Sequence, residues 1–142
     1  MRFWDSSALV PLVVEQAASK ACRQALRASP RQMVWVLSRT EVISALCRLG
    51  REGALGEAGL RAAEVRLGKL AARWSEVDAI APVRERAERL LREHPLRSAD
   101  ACQLGAALVA VDDRPRRRGF VTLDRGLAAA ARGEGFEVLE PA

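Results

Sequence analysis

The sequence predicts an α/β chain, a three-layer α/β/α sandwich around a central parallel sheet of about five strands. Three observations carry this reading. Short apolar runs alternate with stretches of helical periodicity along the chain, and such alternation makes the strands parallel, joined by right-handed helical crossovers. The run Met33–Leu37 is continuously apolar, as a strand covered on both faces would be. The 142 residues, 49% hydrophobic and 29% charged, suffice for one such core and leave little for a second, so residues 1–142 are read as a single domain.

Arg2–Asp5 reads as a short buried strand that turns at Ser6-Ser7 into a helix to about Val14. Ala17–Ala28 has helical spacing in Ala21, Cys22, Ala25 and Leu26, and Ser29-Pro30 closes it. After the strand Met33–Leu37, Ser38 opens a helix to about Glu52 with Val42, Leu46 and Leu49 on one stripe and Gly53 beyond its end. Leu55–Trp74 continues as a long helix. Glu76–Ala81 is expected as a third strand, and Pro82 as the start of a charged amphipathic helix that stops near His94-Pro95. Ser98–Val111 is a mostly apolar helix destined for the core. Asp112–Arg118 follows as a polar loop, Gly119–Leu123 as a fourth strand, Arg125–Arg132 as a helix and Phe136–Leu139 as a last strand.

Composition narrows the chemistry. A net charge of +5 and a pI near 10.0 favour a polyanionic partner such as nucleic acid. A single histidine, His94, cannot supply the pair that a metal-free acid/base ribonuclease uses, so hydrolysis would rest on carboxylates. Tyrosine is absent and phenylalanine scarce, which leaves little for a base-stacking sheet surface. The cysteines Cys22, Cys47 and Cys102 are far apart and odd in number, and are read as buried free thiols. No apolar stretch approaches the roughly 18 residues that span a bilayer, and Asp5 follows Met1 too closely for a signal-peptide core. A cytoplasmic location with no membrane association is the expectation.

In an open parallel sheet, ligands bind beyond the carboxyl ends of the strands. Four acids belong near those ends: Asp5, Glu41, Asp100 and Asp124. Each also has a structural reading. Asp5 and Asp124 suit N-caps, Glu41 completes a capping box with Ser38, and Asp100 is a first-turn acid. Jointly they point elsewhere, because the segments around them are apolar. Like charges about 5.5 Å apart repel by about 3 kcal/mol at an effective dielectric near 20, so four ionised acids in one cleft need a cation. Oxygen ligands select Mg²⁺ or Mn²⁺, and the chemistry that follows is hydrolysis of a phosphodiester by metal-activated water. The acids of a phosphoacceptor receiver and the second aspartate of a haloacid-dehalogenase phosphatase are missing, as are phosphate-binding and dinucleotide glycine loops.

Four segments together resemble the acidic signatures of PIN domains: Phe3-Trp4-Asp5-Ser6-Ser7-Ala8-Leu9-Val10, Thr40-Glu41-Val42-Ile43-Ser44-Ala45-Leu46, Leu96–Ala107 around Asp100, and Val121-Thr122-Leu123-Asp124-Arg125-Gly126-Leu127. They stand in family order across almost the whole chain. The resemblance implies a PIN-like fold, a metal-binding and catalytic set of Asp5, Glu41, Asp100 and Asp124, and supporting hydrogen bonds from Ser6 and Thr122. The compact length and the Asp5-Ser6-Ser7 opening are similar to the VapC toxin branch. That likeness implies a Mg²⁺-dependent endoribonuclease (Mn²⁺ as alternative), a small VapB-like antitoxin as partner and a homodimer. The competing expectation is a catalytically silent PIN-like module that binds RNA or protein. Arg48, Arg97 and Arg125 stand near these acids as candidate RNA contacts, and Arg116 and Arg117 in the basic loop as further ones. The apolar run Ala8–Val14 and the stripe Leu55, Leu60, Leu67 and Leu70 either pack on each other or are covered by a second chain.

Overall fold

The computed structural model describes all 142 residues. Five short strands, β1 (Arg2–Trp4), β2 (Gln32–Trp35), β3 (Ser75–Val77), β4 (Gly119–Val121) and β5 (Glu137–Leu139), form one sheet in the order β3-β2-β1-β4-β5. All four pairings are parallel. Seven helices connect them: α1 (Ser6–Val13), α2 (Ser19–Ala28), α3 (Ser38–Arg51), α4 (Glu57–Ala71), α5 (Ile80–Glu93), α6 (Ser98–Ala110) and α7 (Arg125–Glu134). The predicted sandwich with a five-stranded parallel sheet is the observed architecture.

The strand order fixes where a site belongs. From β1 the chain builds outward to β3, then returns across the sheet to β4 and β5. The reversal leaves β1 and β4 adjacent, with Trp4 opposite Val121, and this switch point opens a crevice at their carboxyl ends. Right-handed crossovers put the outward and returning helices on opposite faces. On one face Trp4, Val34 and Val121 pack with residues of α1 to α4, among them Leu9, Cys22, Leu46 and Leu67. On the other, Phe3, Trp35, Val77 and Phe120 pack with residues of α5 to α7, including Leu90, Leu104 and Leu127. Successive strand residues therefore serve opposite cores, the period of two that a doubly covered sheet demands. The Phe3 and Phe120 rings stack across β1 and β4 with centroids 5.5 Å apart.

Several boundaries differ from the sequence reading. The third strand spans Ser75–Val77 rather than Glu76–Ala81, and Ile80 and Ala81 already belong to α5. Pro82 is thus the third residue of its helix, where a missing N–H still costs no helical bond. The second strand ends at Trp35, and Leu37 is 52% exposed. Its carbonyl accepts from the Glu41 N–H at 3.0 Å, so the chain has already turned toward α3. Cys22 is buried, whereas Cys47 and Cys102 are only half-buried. Burial pushes the Cys22 thiol up to about 11.

The two apolar stripes meet within the chain. Ala8, Leu9, Val10, Val13, Ala63 and Leu67 are buried in the same core, and Leu55, Leu60 and Leu70 pack against it. Leu12, Val14, Leu55, Leu60 and Leu70 remain only partly buried. Helix α6 approaches α5 so closely that a Cβ on Gly105 would stand 3.0 Å from the Val83 carbonyl oxygen. Gly135, at φ +106, closes α7, and the Phe136 N–H returns to the Ala131 carbonyl at 3.0 Å. No helix is long and apolar enough to cross a membrane.

Candidate active site

Asp5 is the first residue beyond β1, and its N–H still donates to the Val121 carbonyl at 3.0 Å. The sheet thereby fixes its backbone at the switch point. Its side chain is only 3% exposed and takes hydroxyl donors rather than capping α1. Thr122 donates to Oδ2 at 2.6 Å, Ser7 donates to the same oxygen, and Ser6 lies 3.4 Å from Oδ1. Thr122 Oγ1 in turn accepts from the Asp124 N–H at 3.0 Å, and Ser7 Oγ from the Leu123 N–H at 2.9 Å. The end of β4 is laced to the start of α1 through these two hydroxyls.

Glu41 does not complete a capping box. The Ser38 hydroxyl donates instead to Gln103 Oε1 at 3.2 Å, because Ser38 and Gln103 are both fully buried and need partners. Glu41 Oε2 accepts from Ser6 at 2.7 Å and from Gln103 Nε2 at 2.8 Å. Gln103 therefore orients the carboxylate of α3 from α6, one turn after Asp100. Asp124 is a genuine cap: its Oδ1 accepts from the Leu127 N–H at 2.7 Å, the one side-chain N-cap among the seven helices. It is exposed, contrary to the apolar setting its neighbours in sequence suggest, since the chain leaves the sheet between Val121 and α7.

These elements bring Asp5, Glu41, Asp100 and Asp124 together around one cleft of about 360 Å³, with Ser6, Ser7, Gln16, Ser44 and Arg48 also in its walls. None of the four acids has a basic side-chain nitrogen within 4.0 Å, since every ion pair of the chain lies elsewhere. Burial pushes the Asp5 carboxyl above its ordinary range against the hydroxyl donors that pull it down, and the Glu41 charge adds to the rise. Asp100 is also raised, first by burial and then by the charges of Asp124 and Asp5, with Arg97 opposing. Mutual repulsion in the cleft is thus a property of the fold.

The candidate cations divide by position. Arg48 lines the cleft, and Arg97 lines a neighbouring one that also contains Asp100 and Asp124. Arg125 is exposed at the start of α7 and lines neither. Arg116 and Arg117 are exposed on the loop entering β4 at its amino end, across the sheet from the acids. Sequence reasoning passed over Gln103 and Ser7. Gln103 had a legible signal: a polar side chain inside an apolar helix, three residues from a candidate ligand and on the same flank. Ser7 had none beyond being an ordinary helix-start residue.

The chain is thus a parallel α/β/α protein with an uncompensated acidic crevice at its switch point. The chain belongs to the PIN domain family, whose model matches residues 2–133. PIN domains are typically nucleases and usually bind divalent metals. No curated protein matches the chain.

Proposed function

We propose that this chain is a metal-dependent endoribonuclease, acting as the toxin of a VapBC-type toxin-antitoxin pair. The observation that carries the nuclease reading is the convergence of four carboxylates with no basic partner in reach. Oxygen donors alone, two of them raised by burial and mutual charge, fit Mg²⁺ or Mn²⁺ rather than a softer ion. Asp5, Glu41, Asp100 and Asp124 would hold the ion. Bound there, it supplies an activated water and neutralises charge on the phosphodiester.

The chain's own residues do the rest. Ser7 and Thr122 spend their hydroxyl protons on Asp5 Oδ2, which opposes part of the rise that burial imposes on that carboxyl. Ser6 and Gln103 both bind Glu41 Oε2 and leave Oε1 to face a ligand. Arg48 and Arg97 offer the charge that an RNA phosphate needs beside so many acids. The VapC-like opening Asp5-Ser6-Ser7 supports a VapB-like antitoxin partner and a homodimer.

The test is RNA cleavage by the purified chain with Mg²⁺ or Mn²⁺, with and without excess EDTA. Cleavage undiminished by EDTA defeats the metal reading, and RNA binding without cleavage returns the chain to a silent PIN-like module. Light scattering, alone and with the product of an adjacent small gene, tests the partners: a strict monomer that ignores that product overturns the toxin assignment.

A further inference from the structure

We infer that the RNA chain crosses the acidic cluster from one face of the sheet to the other, with Arg48 holding the phosphate on one side of the cut and Arg97 the phosphate on the other. The inference rests on the nuclease reading above and adds the path of the substrate and the two residues that define it.

Asp100 and Asp124 stand on the divide between two cavities. One, of about 360 Å³, opens toward α1 and α3. The other, of about 460 Å³, opens toward the segment Pro95–Ala99 and the start of α7. Because α1 and α3 cover one face of the sheet and α6 and α7 the other, the two cavities leave the acids in opposite directions. Both have the volume of small-ligand sites. Each contains a single cation, Arg48 in the first and Arg97 in the second. Neither arginine is in an ion pair, and both are exposed, so neither has a carboxylate partner to give up.

Electrostatics gives the arrangement its reason. A phosphate beside four acids is repelled unless a cation accompanies it, and one cation per cavity matches one phosphate on either flank of the scissile bond. A site that ended at the acids would serve terminal nucleotides. A site continuing on both sides, with a charge on each, serves an internal bond of an extended single strand.

The experiment compares two substrates in Mg²⁺: a library of short random single-stranded RNAs, and dinucleoside monophosphates, whose only phosphate is the one cut. On the library, Arg48→Ala and Arg97→Ala are each expected to raise KM roughly tenfold with little change in kcat, as for loss of one charge-assisted phosphate contact. Each should flatten the slope of log(kcat/KM) against log salt by about 0.7. The lysine variants should keep that slope. Dinucleoside cleavage should be slow or undetectable, and where measurable unchanged by either variant. A variant that matches wild type on the library, with unaltered salt slope, overturns the path on its side. Efficient dinucleoside cleavage, or equal losses on both substrates, overturns the two-sided path. A well-folded wild-type chain that cleaves nothing overturns the nuclease reading, and this inference with it.

Discussion

Two carboxylate clusters in this molecule have opposite electrostatics. Around Glu134, Arg89 donates to Oε1 at 2.6 Å and His94 lies 2.8 Å from Oε2, and Arg89 also reaches Glu93 at 2.8 Å. Glu93, His94 and Glu134 stand close enough to share an ion, yet the Arg89 guanidinium already pairs with both carboxylates. In the cleft, Asp5, Glu41, Asp100 and Asp124 receive only hydroxyl, amide and backbone donors. Burial pushes Glu134 up, but Arg89 and His94 outweigh it and hold the carboxyl below its ordinary range. Asp100, with acids for neighbours, is raised. Proximity of acids is therefore a poor sign of a metal site. The cleft differs in its lack of compensation: its four acids line one cavity with no ion-pair partner, the setting that a cation would reconcile on the proposed nuclease reading.

The largest expected break in this contrast is in activity. Asp100→Asn should lower RNA cleavage by more than about a hundredfold, beyond the loss typical of a metal's outer partners, while Glu134→Gln leaves the rate near wild type. Comparable losses in both would mean that the two clusters do not differ in role. Next comes Gln103→Leu, which removes one of the two donors to Glu41 and strands Ser38. Its kcat/KM should fall about 10- to 100-fold, and a fully active variant would show that Ser6 alone orients the carboxylate.

Metal should sharpen the contrast by stabilising the protein through one cluster only. At Mg²⁺ about a hundredfold above its dissociation constant, wild type and Glu134→Gln should each gain about 2.7 kcal/mol, seen as a rise in melting temperature. Asp100→Asn should gain markedly less. An equal rise in all three would place the ion elsewhere.

The smallest effect is a mirror image in pH. Asp100 has a folded pKa above its unfolded value, so its contribution to stability is greatest in acid and falls as pH rises through the folded value. Asp100→Asn, fixed in the neutral form, should be more stable than wild type at pH 7 and match it well below the ordinary aspartate range. Glu134 has a depressed folded pKa, so its contribution is present at neutral pH and lost as pH falls through that value. Glu134→Gln should cost roughly 1 kcal/mol at pH 7, given a half-exposed arginine partner, and nothing in strong acid. Metal-free denaturation curves at both pH values check the pair, and parallel shifts would contradict the opposed charge settings.

The sequence alone determined the layer architecture, because the alternation of apolar runs and helical stripes admits few other arrangements. It also singled out Asp5, Glu41, Asp100 and Asp124: Asp5 and Asp124 as acids that end apolar strands, Asp100 as an acid inside an apolar helix, and Glu41 as a first-turn acid of α3. Element ends were less legible: Leu37 and Ile80 are apolar yet exposed, placed by turns that hydrophobicity does not report. Only the tertiary structure decided which polar groups answer one another. A capping box and a buried-core serine are the same letters until α6 brings Gln103 against Ser38 and Glu41. Likewise, acids near His94 and acids near Asp100 are equally acidic in the chain. Their difference arises from which arginines the packing of α5 and α7 admits within reach, and charge compensation is a property of distance that a one-dimensional order of residues does not contain.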